Sequence, residues 1–134
     1  AENPYLPHNL RYNSVIYTGT HDNETTVGWY ASREAEELEN LHRYLGPLAE
    51  PLHWALIRMA YRSVSDMAVI PLQDVLGLGN EGRMNSPGKF GGNWAWRFQE
   101  GDLLPEYSAK LREMAQTYAR AKADEAEAGR PDWM

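Results

Sequence analysis

The chain has 134 residues, 43% of them hydrophobic, with a formal net charge of −6 and a pI near 5.2. This length allows one domain or part of one. The acidic balance argues against nucleic acid or a membrane surface as a partner, since both attract clustered lysine and arginine. Without cysteine, and with four scattered histidines, the sequence predicts no metal site. No apolar run near 20 residues and no signal-peptide pattern is evident, so a cytoplasmic location is expected, or a plastid in a plant.

Two strands are predicted around a helical middle. An extended lead-in over residues 1–13 contains two prolines and feeds a β-branched strand at 14–18. A second strand at 67–71 is an unbroken apolar run, which is typical of a strand covered on both faces. Because a helical crossover joins the two strands, they are predicted to be parallel.

Three helices and one long loop complete the predicted elements. The first helix covers 32–45, with Ser32 as its N-cap, and the second covers 51–64. A glycine-rich loop at 77–104 shows no periodicity, and a loop of that length usually works as a lid or binding wall. The last helix is predicted at 105–128, with a proline at its first position.

This set of elements is incomplete for a parallel sheet. Two parallel strands leave two open edges, and parallel sheets occur almost only as many strands covered by helices. A strand, helices, a strand and a last helix would fit the last two units of an eight-stranded (β/α) barrel. The sequence therefore predicts an α/β fold in which this chain is the C-terminal part of a TIM barrel.

The first candidate site follows the first strand. His21 and Asp22 come directly after Gly19, which permits a tight turn, at the strand end where parallel α/β folds bind ligands. Thr25 and Thr26 read as the start of a short helix whose free N–H groups would favour a charged Asp22. The alternative for Asp22 is a structural N-cap of that helix.

A second polar cluster, Gln73 and Asp74, follows the second strand, so both clusters are predicted at one edge of the sheet. Asp74 has the alternative of accepting backbone N–H groups from the turn at Gly77. Glu81 is a further acidic candidate. Five loop residues are predicted to line a sugar groove, each tryptophan having core packing as its alternative. They are Arg83, Asn85, Asn93, Trp94 and Trp96.

Several ordered motifs resemble one family. They are Asn3-Pro-Tyr-Leu-Pro-His-Asn9, Tyr17-Thr-Gly-Thr-His-Asp-Asn23, Thr25-Thr-x-Gly-Trp-Tyr30, Gln73-Asp-Val-Leu-Gly-Leu-Gly79, Arg83-Met-Asn-x-Pro-Gly88 and Gly92-Asn-Trp-Ala-Trp-Arg97. Together they resemble the C-terminal third of the amylomaltases, the 4-α-glucanotransferases of glycoside hydrolase family 77. The resemblance covers nearly the whole chain.

The resemblance implies a (β/α)8 barrel that transfers α-1,4-glucan segments to glucose or another glucan by a retaining double displacement, without a cofactor. Asp22 matches the family's transition-state-stabilising carboxylate, His21 would hold the same sugar, and Asn85 matches a position that contacts substrate near the same subsite. Trp94, Trp96, Gln73 and Asp74 are added as substrate-binding candidates. Glu24 replaces the aspartate that is more usual at its position.

The family's nucleophile and general acid/base have no counterpart in this sequence. Retaining chemistry needs two carboxyl groups about 5 Å apart across the bond, and Asp22 is only the supporting one. We therefore expect a segment that is inactive alone and whose partners are glucans and the missing N-terminal part of the barrel. The alternatives are a non-catalytic glucan-binding module and an inactive, self-associating fragment.

Overall fold

The computed structural model describes residues 2–121, which form two compact units divided after Leu103. The first unit contains two short strands and four helices. In chain order they are β1 (Val15–Tyr17), α1 (Thr26–Ala31), α2 (Ala35–Leu45), α3 (Leu52–Tyr61), β2 (Met67–Val69) and α4 (Leu72–Val75). The second unit begins with α5 (Pro105–Thr117).

The two strands pair in parallel, as predicted, with Val15 opposite Met67 and Tyr17 opposite Val69. These four side chains share one face because strand residues alternate, and all four are about half exposed. The described residues do not cover this face, so the cover predicted for both faces of the second strand is not supplied by this part of the chain. One face of this sheet lacks the apolar cover that parallel strands require.

The prediction for the first long helix was wrong at its start. Ser32 caps the C-terminal end of α1, where its N–H bonds to carbonyls of that helix. The helix α2 begins three residues later, with Glu34 at the N-cap position, and the Glu34 N–H donates to Glu37 Oε2 at 3.2 Å. Because glutamate is an unusual N-cap, the sequence pattern predicted these glutamates in the first turn of a helix capped by Ser32.

The core of the first unit lies along α3. Trp54, Ile57 and Ala60 are buried on this helix, which contacts both α1 and α4. Val75 of α4 is also buried. The connection between α2 and α3 is tied by Arg58 Nε, which donates to Glu50 Oε1 at 2.6 Å. The parallel pairing of the strands places the carboxyl ends of β1 and β2 beside each other.

The short helix α4 was not predicted, because four residues are too few to show a helical period. It follows β2 directly and includes Gln73 and Asp74. The long loop at 77–104 contains two single 3-10 turns, at Asn80–Gly82 and Glu100–Asp102. The rest of the loop has no regular structure.

The last helix ends earlier than predicted. The helix α5 stops at Thr117, and Ala119 adopts a left-handed conformation with φ of 54°. The Arg120 N–H then bonds to the Ala115 carbonyl at 2.7 Å, and the Ala119 N–H bonds to Gln116. This pair of bonds is the Schellman arrangement that ends a helix, here without the usual glycine. Residues 122–128 of the predicted helix lie outside the described residues.

Candidate active site

The turn after β1 presents His21 and Asp22 to solvent. The Asn23 side-chain oxygen closes this turn by accepting from Thr20 N at 2.8 Å and from the Thr20 hydroxyl at 2.9 Å. Gly19 does not adopt a positive φ, so the turn depends on Asn23 rather than on glycine. The side chains of His21 and Asp22 are 56% and 48% exposed. Both functional groups therefore lie open at the carboxyl end of the strand.

Asp22 does not cap a helix. The N-cap of α1 is Thr25, whose hydroxyl oxygen accepts from Gly28 N at 3.1 Å. The first N–H of that helix, on Thr26, donates to Asp74 Oδ1 at 2.8 Å. The predicted stabilisation of Asp22 by helix N–H groups is therefore wrong, since Asp74 takes that role.

The Asp22 carboxylate is held by groups from two directions. Asn85 Nδ2 donates to Asp22 Oδ1 at 2.6 Å, and His21 Nε2 lies 3.4 Å from Asp22 Oδ2. A carboxylate accepts about four hydrogen bonds, so these contacts leave acceptor positions free on the exposed side. Asp22 is thus oriented and still able to bind hydroxyl groups.

The loop at 77–104 supplies the other wall of the site. Its backbone meets the first turn where Asn85 N donates to the His21 carbonyl at 3.0 Å. Arg83 makes two further contacts, with Nη2 at 2.7 Å from the Asp22 carbonyl and Nε at 2.9 Å from the Asn85 carbonyl. The two loops are therefore joined by backbone and side-chain hydrogen bonds.

Trp94 stands beside His21 in a strained conformation. Its φ is 61°, which is unusual for a bulky residue, and its N–H donates to the Met84 carbonyl at 2.7 Å. The indole and the His21 imidazole have ring centroids 5.1 Å apart with planes tilted by 38°. Trp94 is 54% exposed, so core packing does not explain its position.

His21, Arg83 and Trp94 border an open pocket of about 390 Å³, and Asp22 lines a neighbouring pocket of about 560 Å³ that shares Arg83 with it. The lining of the first pocket includes residues from both strand ends and from the long loop, as predicted for polar clusters at one sheet edge. The lining residues discussed in this section are His21, Glu24, Gln73, Asp74, Arg83 and Trp94. Trp96 is partly buried and is not among the residues that line this pocket.

Asp74 and Gln73 lie at the base of the pocket. Asp74 is only 2% exposed, and its second carboxylate oxygen accepts from the Thr18 hydroxyl. Its side chain thus joins the end of β1 to the start of α1, rather than binding the N–H groups of the Gly77 turn. Gln73 Nε2 donates to the Gly82 carbonyl at 3.2 Å, which fixes the long loop against α4.

Glu24 joins the first turn to the long loop. Its Oε1 accepts from Asn80 Nδ2 at 2.8 Å, and its Oε2 lies 3.6 Å from Arg33 Nη2. The hydrogen bond from Asn80 lowers the pKa of the Glu24 carboxyl, and partial burial opposes this shift. The Ser32 hydroxyl, which donates to Glu24 Oε2 at 3.2 Å, and the charge of Arg33 lower the pKa further. Asn80 also packs flat against Gly28, where any side chain would overlap its amide.

Within residues 2–121, no group of three histidine or acidic side chains is arranged to hold a metal ion. Over the same residues, no helix combines the length and apolar character of a membrane span.

A family model described as 4-alpha-glucanotransferase matches residues 1–103. The chain belongs to the 4-alpha-glucanotransferase family. The resemblance carried by the sequence motifs is thereby confirmed. The 4-alpha-glucanotransferase of Thermus thermophilus is 48% identical over 127 residues, which cover 89% of this chain and 25% of that protein. The chloroplastic/amyloplastic 4-alpha-glucanotransferase of Solanum tuberosum is 47% identical over 124 residues, covering 90% and 22%.

A solved structure gives the same assignment. The amylomaltase from Streptococcus agalactiae, determined in complex with acarbose, matches with a TM-score of 0.86 and 34% sequence identity. The match covers 90% of this chain and 25% of that structure. The chain therefore spans about a quarter of the length of the 4-alpha-glucanotransferases that it matches.

The geometry brings together most of the residues singled out in this 4-alpha-glucanotransferase sequence. Asp22, His21, Asn85 and Trp94 form one cluster, in which His21 and Trp94 line the 390 Å³ pocket, and Trp96 does not line that pocket. Glu81 is used locally, since its carboxylate accepts from Gly79 N at 2.8 Å. Sequence reasoning missed the link between Glu24 and Asn80. The only signal was the run Asn23-Glu24, in which an acid adjoins the site; nothing in the sequence indicated Asn80 as its partner, 56 residues away.

Proposed function

We propose that this chain is the C-terminal part of the catalytic (β/α)8 barrel of a 4-α-glucanotransferase. Two parallel strands joined by helices, with the site at their carboxyl ends, agree with the architecture of such barrels. The half-exposed sheet face formed by Val15, Tyr17, Met67 and Val69 would point into the barrel. The remaining strands would then come from residues outside this chain and cover that face.

The proposed reaction transfers α-1,4-glucan segments to glucose or another glucan by a retaining double displacement. The observation that carries this proposal is the exposed Asp22 carboxylate, oriented by Asn85 at 2.6 Å and flanked by the imidazole of His21. Glycosyl transfer passes through a state resembling an oxocarbenium ion, and carboxylates stabilise that positive charge. Family membership supports the same reaction.

In this proposal the Asp22 carboxylate accepts hydrogen bonds from hydroxyl groups of the glucose unit at the cleavage point. Its hydrogen bonds strengthen as the ring flattens and gains positive charge, which is how binding energy lowers a reaction barrier. His21 donates to a hydroxyl of the same sugar, and Asn85 contacts that sugar while holding Asp22. Trp94, beside His21, offers an exposed indole face to a pyranose ring.

The nucleophile and the general acid/base are expected from residues outside this chain. Two carboxylates line the 390 Å³ pocket, but Asp74 is bonded to Thr18 and Thr26, and Glu24 is bonded to Asn80. Neither carboxylate is therefore free to act as the nucleophile. A retaining enzyme needs that nucleophile about 5 Å from its general acid, on opposite sides of the scissile bond. The segment alone is therefore proposed to be inactive.

The proposed partners are maltooligosaccharides, amylose and glucose, together with the N-terminal part of the barrel. The Streptococcus agalactiae amylomaltase was solved with acarbose, and we propose that the pocket beside Asp22 takes an oligosaccharide of that kind. The reaction exchanges one glycosidic bond for another, so we propose that it needs no cofactor. A cytoplasmic location stays a prediction, with a plastid as the alternative in a plant.

A glucan-binding module without catalysis is the second candidate. The exposed Trp94 beside His21 favours it, because an indole platform with polar neighbours binds sugars without any reaction. The two candidates differ in the role of Asp22. In a binding module, loss of its charge would weaken binding alone.

The deciding experiment replaces Asp22 in the full-length enzyme and follows disproportionation of maltotriose. We expect Asp22→Asn to lower kcat at least about 100-fold, or about 2.7 kcal/mol, with a smaller change in KM. Glu36→Gln likewise replaces a carboxylate by an amide, at an exposed position of α2, and should retain normal turnover. An Asp22→Asn enzyme with unchanged melting temperature and turnover close to that of the parent would rule out the proposed role of Asp22.

A further inference from the structure

The guanidinium of Arg83 lies between the two loops that form the site. Its Nη2 donates to the carbonyl of Asp22 at 2.7 Å, and its Nε donates to the carbonyl of Asn85 at 2.9 Å. The two residues whose backbones it holds are also the two whose side chains meet at 2.6 Å. One planar cation thus binds both ends of the contact that orients the Asp22 carboxylate.

We propose that Arg83 is a positioning residue that sets the Asp22 carboxylate for catalysis through the backbones of Asp22 and Asn85. The proposal rests on the function proposed above for Asp22. It adds a residue that need not touch the sugar. Its effect is transmitted by the carbonyl groups that it holds.

The geometry favours a positioning role over an ordinary surface contact. Asp22 and Arg83 are 61 residues apart, so their hydrogen bond fixes one loop against another rather than shaping a local turn. A side chain at an active site loses much of its effect when it is displaced by about 1 Å. Asp22 is 48% exposed, so the packing around it is incomplete and the hydrogen bonds bear more of the task of orienting it.

Arginine suits this place better than lysine. The guanidinium offers five N–H donors in a rigid plane, so two of them reach two carbonyls at fixed angles. The lysine ammonium is a compact charge on a flexible stem, which does not impose that fork. A lysine at position 83 would keep the charge and one hydrogen bond and would lose the bridge.

The test compares Arg83→Met and Arg83→Lys in the full-length enzyme, with maltotriose disproportionation as the assay. We expect Arg83→Met to lower kcat on the order of 100-fold with little change in KM, because orientation is lost while the sugar contacts remain. Arg83→Lys should fall between the parent and Arg83→Met. It also keeps the test usable if the methionine variant does not fold.

The matched control is Arg97→Met. Arg97 belongs to the same loop and also donates to two backbone carbonyls, those of Trp94 at 3.1 Å and Trp96 at 2.7 Å. Both hydrogen bonds stay within its own loop and do not reach Asp22, so we expect its replacement to change kcat by less than about threefold. A general loosening of the loop would instead reduce kcat equally in both arginine variants and overturn the proposal.

A second comparison places Arg83→Met in the Asp22→Asn background. If Arg83 acts through Asp22, the double variant should have nearly the kcat of Asp22→Asn alone, since effects that share one pathway do not add. An equal reduction of kcat by Arg83→Met in both backgrounds would show that Arg83 acts independently and that the inference is wrong. Normal turnover in Asp22→Asn itself would contradict the proposed function instead, so the two failures are distinguishable.

Discussion

Asn85 and Asp22 are 63 residues apart in the chain, and the Asn85 amide lies 2.6 Å from the Asp22 carboxylate. The bond joins the turn after β1 to the long loop after α4. A neutral amide holds the carboxylate in place without neutralising its charge. An exposed acid is thereby oriented and keeps the negative charge that a developing cation requires.

Replacing Asn85 should lower activity by an amount set by that bond. A hydrogen bond to a charged group contributes about 1.5–3 kcal/mol, so Asn85→Ala should reduce kcat/KM about 10- to 100-fold in the full-length enzyme. Asn93→Ala is the control: the sequence predicted Asn93 in the sugar groove, but its side chain bonds to Ser86 N and the Lys89 carbonyl within the same loop and lines neither pocket of the site. Comparable losses in the two variants would indicate a disturbed loop rather than a lost contact to Asp22.

The sequence predicted the polar residues at one sheet edge because that prediction needs only strand polarity. His21 and Asp22 follow β1, Gln73 and Asp74 follow β2, and the strands are parallel. The pairing of Asn85 with Asp22 was not predictable from the residues themselves, since no periodicity constrains a loop between positions 77 and 104. The sequence predicted Asn85 among the residues of a sugar groove, and the family resemblance added a substrate contact, but neither indicated its bond to Asp22.

The hydrogen-bond partners of Asp74 and Glu24 could not be predicted from the sequence. Asp74 is bonded to Thr18 and Thr26, two residues 56 and 48 positions away, and such a partner choice depends on packing rather than on local sequence. The start of α2 was misplaced for a related reason. Ser32 is a favoured N-cap residue, yet here it closes the preceding helix.

Asp74 should prove to be a stability residue rather than a sugar ligand. Asp74→Ala leaves the buried Thr26 N–H without a partner, which costs about 1–3 kcal/mol of unfolding free energy. We expect a lower melting temperature for the full-length enzyme and a KM for maltotriose near that of the parent at temperatures where the variant is folded. A raised KM with an unchanged melting temperature would instead make Asp74 a substrate contact.

Trp94 and Trp96 should differ in their response to ligand. Trp94 is 54% exposed and its ring adjoins His21, whereas Trp96 is partly buried outside the pocket lining. Saturating maltooligosaccharide should therefore change tryptophan fluorescence in the parent and in Trp96→Phe, and much less in Trp94→Phe. Trp94→Ala should also raise KM about threefold to tenfold, the scale of one lost ring contact. A ligand-induced change that persists in Trp94→Phe and disappears in Trp96→Phe would reverse this assignment.

The ion pair and hydrogen bonds of Glu24 should stabilise the fold in a pH-dependent way. The hydrogen bond from Asn80 lowers the pKa of Glu24 below its ordinary value of 4.5, so folding favours the ionised carboxyl. The stabilisation is therefore complete above the unfolded pKa and is lost as the pH falls through the lower folded pKa.

Near neutral pH, Glu24→Gln should melt below the parent, because the amide keeps one acceptor for Asn80 and loses the attraction to Arg33. The gap between the two melting temperatures should be constant from neutral pH down to about pH 5 and narrow below about pH 4.5. Glu24→Asp carries the residue more usual in the family and retains the charge. The difference between its melting temperature and that of Glu24→Gln should therefore also narrow toward acid pH. A gap between parent and Glu24→Gln that stays constant down to pH values well below 4.5 would show that the Glu24 charge contributes nothing to stability.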